Sequence, residues 1–172
     1  PQLEYRKRQD AGKPYRWVNA TIRAIPGAYH HALLLLSDIT EQLNEEADFY
    51  KALQHSYSEI YEVMLDTDSM RIVHRDGDST LAKPELTHSY SRDTRTIANR
   101  YIHPDDRESF LDLFSPENVS RKVADDPRLS TEYRVLAVDG TYHWISILVL
   151  PMPGSSGRLL VLWQDINERK RM

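Results

Sequence analysis

TEYRVLAVDGTYHWISILVLPMPGSSGRLLVLWQDINERKRM, Thr131 to Met172, reads as three consecutive β-strands that run into the start of a helix. Asp139-Gly140 separates two runs rich in β-branched and aromatic residues, and an Asp-Gly pair in that setting predicts a hairpin with a type I′ turn, whose central residues need φ > 0. A second turn falls between Pro151 and Arg158. The third run, Leu159 to Trp163, is apolar throughout and stops at Asp165. The Asp165 carboxylate is placed to accept free amide hydrogens of a new helix, with Glu168 three residues on as the second half of a capping box.

The chain contains this pattern twice. Near the N-terminus, Glu4-Tyr5-Arg6 matches Glu132-Tyr133-Arg134 and Gly12 matches Gly140, both at an offset of 128. After the turn the offset is 127: Trp17 matches Trp144, Pro26 matches Pro153, and Asp38-Ile39-Thr40-Glu41 matches Asp165-Ile166-Asn167-Glu168. A repeat this long predicts two tandem modules, since solenoid units recur every ~20–50 residues. The first is expected to be truncated to its last three strands. By the period of two, Val18, Ala20, Ile22 and Ala24 share an inward face, as do Ile145, Ile147, Val149 and Pro151. On the other face Asn19, Thr21 and Arg23 stand where the second copy has Ser146, Leu148 and Leu150.

Composition narrows the function classes. With 172 residues, 40% hydrophobic and 28% charged, the profile is that of a soluble globular chain of one or two domains. No cysteine is present, which removes disulfides, thiolate zinc sites and cysteine nucleophiles and fits a reducing, cytoplasmic setting. No apolar run approaches a membrane span, and the start lacks a signal-peptide core, so no membrane contact by this segment is expected. A net charge of −4 gives no reason to expect nucleic acid. Arg6-Lys7-Arg8 and Arg169-Lys170-Arg171 read as a solvated strand face and a solvated helix end.

In chain order, Leu3–Gln9, Tyr15–Ile25 and Ala32–Ser37 are the first strands. A helix follows to about Tyr57, with Leu43, Ala47, Tyr50, Leu53 and Tyr57 on one stripe; Leu43, Tyr50 and Tyr57 are seven apart, compatible with a connector that pairs with its copy in a dimer. Glu59–Asp66 and Met70–Arg75 flank a turn and predict a second hairpin. After a polar loop, Ser91 or Asp93 is expected to cap a short helix through Ala98 and Tyr101. His103-Pro104-Asp105-Asp106 opens another, with proline and carboxylates in its first turn. Ser115-Pro116 opens a third, ending near Asp126.

Two strands, a helical insert and a three-stranded meander ending in D-I-x-E at a helix start resemble a PAS domain. The stretch Ile102-His103-Pro104-Asp105-Asp106-Arg107, followed by E-Y-R, D-G and a Trp, is similar to the PAS fold-3 subgroup. The resemblance implies an α+β fold: a five-stranded antiparallel sheet with short helices on one face, preceded by a partial PAS sheet and a connector helix. The implied domains are 1–40, the end of a PAS-like domain; 41–57, the connector; 58–166, a complete PAS domain; and 167–172, the start of an output helix. The family implies a sensory and relay role, with a diguanylate cyclase, phosphodiesterase or histidine kinase attached downstream and no catalysis in this chain. A ligand-free dimerisation scaffold is the alternative, and a small hydrolase using the acidic pairs ranks behind both. Asn167 stands where the motif has the threonine seen at Thr40, and the junction is expected to survive.

The candidate ligand pocket is the inward sheet face, assigned to Tyr61, Val63, Tyr133, Ile145, Ile147, Leu160 and Leu162, as an open cavity or a filled core. The candidate relay junctions are Asp38, Thr40 and Glu41, and Asp165, Asn167 and Glu168. No cofactor or metal is assigned, and the identity of any small-molecule ligand stays open. A homodimer is expected. His74-Arg75-Asp76 resembles a kinase catalytic loop but has Leu81 where that loop needs an Asn. His30-His31, as strand neighbours, point to opposite faces and cannot share a metal there. His88 and His103, the helical-region candidates for a haem ligand, read as solvent-facing. Asp105-Asp106 and Asp125-Asp126 read as helix-start and loop caps. Without cysteine, the flavin-adduct and thioester-linked chromophores of related sensors are not available.

Overall fold

Strands form where apolar residues alternate, and in the computed structural model the alternation of Tyr142–Pro151 becomes a strand whose Ile145, Ile147 and Val149 are fully buried. Residues 1–7, 14–27, 31–153 and 157–172 are described. The expected strand end at Gln9, the Gly12 turn and His30 lie outside the described residues. The chain divides into two compact units, Pro1–Ala52 and Leu53–Met172.

The first unit holds β1 (Gln2–Lys7), β2 (Arg16–Ala24) and β3 (Ala32–Asp38), an antiparallel meander, followed by α1 (Thr40–Gln54). Among its described apolar side chains only Ala20 is buried; Leu3, Ile22, Leu34 and Leu36 on the same face are exposed. The helix stops at Gln54, short of the expected Tyr57, and none of its residues is buried.

The second unit is a five-stranded antiparallel sheet with short helices on one face, the α+β arrangement expected from the sequence. Its strands are β4 (Glu59–Met64), β5 (Ser69–Arg75), β6 (Leu129–Leu136), β7 (Tyr142–Pro151) and β8 (Arg158–Asp165), in spatial order β5-β4-β8-β7-β6. The insert supplies α2 (Tyr90–Arg100), α3 (Arg107–Leu113) and α4 (Pro116–Asp125), and α5 (Asn167–Arg171) follows β8. The helices bury Tyr90, Ile97, Phe110, Phe114 and Val119 against Tyr61, Val63, Tyr133 and Ile147 of the sheet. Each fully buried aliphatic side chain of this kind stabilises the fold by about 1.5–3 kcal/mol relative to exposure.

The registers of the two meanders coincide under the sequence offsets. Tyr5 pairs with Val18 as Tyr133 pairs with Ile145, and Val18 pairs with Asp38 as Ile145 pairs with Asp165. The repeat is therefore structural as well as sequential. The cation–π contact also recurs: Arg6 lies 5.4 Å from the Trp17 ring centroid and Arg134 lies 5.6 Å from that of Trp144.

Three local expectations are corrected. Of Asp139 and Gly140 only Gly140 has positive φ, and its amide bonds to the Ala137 carbonyl while Ala137 N–H bonds to Thr141, so the hairpin closes by a three-residue loop with a terminal glycine, not a two-residue type I′ turn. The cap of α2 is Ser89, whose hydroxyl accepts from the Arg92 amide; Asp68, in the β4–β5 turn, accepts from Ser91 N–H, Ser91 O–H and Ser89 O–H. A distant turn thus satisfies that helix end, which local spacing cannot signal. Asp106 is more than a helix-start residue: it makes a two-pronged bond to the Arg134 guanidinium at 2.6 and 2.9 Å, and Arg134 holds its carboxyl below the usual carboxylate range.

Gly157 has φ +76°, and a Cβ there would lie 2.8 Å from the exposed Asp66 carboxylate. Gly157→Ala should destabilise the fold by about 1–2 kcal/mol through the left-handed backbone. Adding Asp66→Ala should not relieve it, as chemical denaturation of the single and double variants would show.

Candidate functional site

The inward face of the second sheet is where a ligand pocket was expected. Tyr61, Val63, Tyr133, Ile145 and Ile147 are all buried there, in one core with the helices. Leu160 and Leu162 are not: they are buried on the opposite face, because Leu162 pairs with Ile60 and Leu148, and Leu160 with Glu62 and Leu150. Leu159, Val161 and Trp163 take the inward positions instead. An uninterrupted apolar run in a strand buried on both faces carries no alternation, so its parity cannot be read from sequence.

The space left between Tyr61, Trp163, Tyr90, Thr94, Phe110 and Phe114 is a small apolar cavity of about 20 Å³. That volume admits roughly one water. Tyr61 and Trp163 meet edge-on at 5.7 Å, and Phe110 meets Tyr133 edge-on at 5.2 Å, so aromatic packing fills most of the interior.

At one end of this core lies a buried polar cluster that sequence reading missed. Glu59, 1% exposed, receives a hydrogen bond from the Tyr61 hydroxyl and lies 3.2 Å from the Arg75 guanidinium. Arg75 also reaches the Tyr61 hydroxyl at 3.5 Å and the Pro84 carbonyl at 3.4 Å. Burial pushes the Glu59 carboxyl up to about 7, a rise that Arg75 and the more remote Lys83 oppose without cancelling. The only sequence signal was an acidic residue at an inward position, two before Tyr61. Arg75, part of the kinase-like tripeptide, is thereby a partner of Glu59.

The strand-to-helix junctions form the second candidate site. In the first unit the Asp38 carboxylate accepts from Thr40 N–H at 3.0 Å, the Thr40 hydroxyl oxygen accepts from Trp17 N–H at 2.8 Å, and Ile39 N–H bonds to the Trp17 carbonyl at 2.9 Å. In the second, Asp165 accepts from Asn167 N–H at 2.8 Å, the Asn167 side-chain oxygen accepts from Trp144 N–H at 3.4 Å, and Ile166 N–H bonds to the Trp144 carbonyl at 2.9 Å. The aspartate therefore binds the first helical amide from one position before the cap, and the Thr or Asn reaches back to the neighbouring strand. Ile166 occupies the cap of α5 without a side-chain bond, so the capping box expected with Glu168 does not form. Glu41 and Glu168 are exposed. Lys170, on α5, bonds to Glu132 at 2.6 Å and lies over the Trp144 ring at 5.2 Å, which ties the helix to the sheet.

No protein-family model and no curated protein matches the chain. Among solved structures it is similar to a sensory box histidine kinase/response regulator from Burkholderia thailandensis E264, at 21% identity over 72% of this chain and 87% of that one, with a TM-score of 0.43. It is also similar to the N-terminal domain of a diguanylate cyclase with PAS/PAC sensor from Marinobacter aquaeolei, at 21% identity over 65% of this chain and 97% of that one, with a TM-score of 0.45.

Two measurements follow from these geometries. Because the Glu59 carboxyl is raised in the fold, the folded chain binds more protons there than the unfolded chain, and this contribution to stability is full below the unfolded value and lost as pH rises through about 7. Glu59→Gln should remove a downward slope on the order of 2–3 kcal/mol between about pH 4.5 and 8 in denaturation curves. Asp165→Ala should cost about 0.5–2 kcal/mol and loosen α5, seen as a lower melting temperature and faster exchange of the Asn167 amide.

Proposed function

We propose that this chain is a non-enzymatic sensory and relay module, in which a change in the core of the second sheet passes through the Asp165 junction to the helix beyond it. The observation that carries this reading is the repeated junction: two units of one chain join their last strand to a helix through the same set of bonds. Such a set fixes a helix to a strand end, so a shift of the strand moves the helix. In this reading residues 58–166 are the sensing domain, Asp38, Thr40 and Glu41 launch a connector over 41–57, and Asp165, Asn167 and Glu168 launch the output helix at 167. The output is a diguanylate cyclase, phosphodiesterase or histidine kinase, the setting is the cytoplasm, and the working form is a homodimer. Among the described residues no helix is long and apolar enough to cross a membrane.

A pocket for a drug-sized ligand measures ~300–1,000 Å³, far above the 20 Å³ present, so a ligand would have to part α2 and α3 from the sheet. That filled core favours a second reading, a dimerisation scaffold that holds no ligand, with the exposed leucines of β3 and the stripe of α1 as contact surface. Native mass spectrometry of the purified chain separates the two. A small molecule bound at one per chain supports the sensor. A ligand-free dimer that becomes monomeric with Leu43→Glu supports the scaffold, and a ligand-free monomer would defeat both.

A further inference from the structure

The repeat places different basic side chains at one position of the two junctions. Arg16 and His143 correspond at the offset of 127 that also relates Trp17 to Trp144 and Asp38 to Asp165. In the first unit the Arg16 guanidinium lies 2.9 Å from the Asp38 carboxylate. In the second the His143 Nδ1 lies 2.8 Å from the Asp165 carboxylate. In both, the carboxylate's other oxygen accepts the first amide of the following helix. The architecture is shared and the chemistry is not. A guanidinium stays charged throughout the biological range, whereas an imidazole changes charge between about pH 5 and 8.

We infer that His143 is a proton-binding site that makes the second junction respond to pH, while the Arg16 junction of the same chain is held permanently in the charged state. With Nδ1 on the carboxylate, the proton exchanged with solvent goes to and from Nε2. Protonation turns a hydrogen bond from a neutral imidazole to the carboxylate into an ion pair and draws the Asp165 carboxylate toward β7, and with it the amide that begins the exit helix.

The surroundings suit this role. The His143 side chain is 14% exposed and that of Asp165 26%, so the pair is sheltered yet open to proton exchange. Facing the imidazole are Asp165 from β8, Asp139 from the β6–β7 loop, and the Thr80 hydroxyl from the segment between β5 and α2. Thr80 donates to the same Asp165 oxygen at 3.1 Å. When the imidazole is neutral, that hydroxyl keeps the oxygen partnered, so the junction relaxes without breaking. As a regulatory role the inference rests on the relay reading, but the local coupling is measured directly and can fail or hold independently of any ligand or output.

The test is solution NMR of the whole chain from pH 5 to 8, following the His143 ring and the Asn167 and Thr40 amides. The Asn167 amide should titrate with the midpoint of the His143 ring, and the Thr40 amide, beside Arg16, should show no step there. Glu59 titrates in the same interval, and the Asn167 step should persist in Glu59→Gln. His143→Arg should abolish the Asn167 step, and Arg16→His should create one at Thr40. If His143→Arg does not fold, His143→Gln and the Arg16→His exchange in the first unit decide the matter. An Asn167 amide that stays flat while His143 titrates, a step that survives loss of the imidazole, or no new step at Thr40 in Arg16→His would overturn the inference.

Discussion

The backbone bond from the Ile166 amide to the Trp144 carbonyl is the constraint on which the rest of the second unit turns. It carries the β7–β8 ladder past the last paired residue, Asp165, and fixes the point at which the chain leaves the sheet. Because strand side chains alternate, a slip of one residue would turn every side chain of β8 to the other face and put Val161 and Trp163 where Leu160 and Leu162 now lie. The bonds of Asp165 and Asn167 are then the means of keeping that register: each joins the strand end or helix start to a fixed neighbour. Ile39 and Trp17 repeat the arrangement, so the junction is a property of the meander and not of the helices packed on it.

Much of this was legible. The order of elements, the placing of Asp38 and Asp165 at strand ends that lead into helices, and three members of the inward set, Ile145, Ile147 and Val149, follow from alternation, turn residues and the internal repeat, whereas Pro151, expected with them, is exposed at the strand end. What was not legible has identifiable causes. Leu160 and Leu162 belong to a central strand buried on both faces, where hydrophobicity says nothing about direction. The Ser89 cap of α2 depends on Asp68, 21 residues away, so its neighbours in sequence gave no sign. The pairing of His143 with Asp165 joins two adjacent strands, and a lone histidine before a tryptophan announces nothing until the register is known. The size of the cavity could not be foreseen either, since a list of apolar residues fixes the face that packs and not how completely it is filled.

Strand β4 shows how the same residue type is put to opposite uses by its surroundings. Glu59 and Glu62 lie three residues apart on opposite faces of the sheet, and both are nearly buried. Burial raises the carboxyl of Glu62 as it does that of Glu59, but Glu62 is gripped by Arg71 and by Arg158, the latter at 2.5 Å, and the two guanidinium groups together hold it below the usual carboxylate range. Glu59 has one close guanidinium and a phenol, which is not enough, and it is raised. A buried carboxylate with two fixed cations acts as a permanent brace across β5, β4 and β8. One with a single cation stands near its titration point, where a small change in the environment of Arg75 or Tyr61 changes its charge.

The position of Glu59 gives that difference a direction. It pairs across the sheet with Trp163, two residues before Asp165, and the residue before it is clamped on both sides: Ser58 N–H bonds to the Trp163 carbonyl at 2.8 Å, and Asp76 N–H bonds to the Ser58 carbonyl at 2.8 Å. The chain thus enters β4 and leaves β8 at the same end of the sheet, beside Glu59, a buried acid that lacks full compensation. A charge gained at Glu59 would have to be solvated by movement of Arg75, Tyr61 or water, since the apolar wall formed with Trp163 offers nothing. Tyr61 meets Trp163 edge-on, so a movement of Tyr61 would press on the strand that ends at Asp165. The polar cluster and the junction therefore meet one strand two residues apart, at Trp163 and Asp165, with closely packed aromatic side chains beside them.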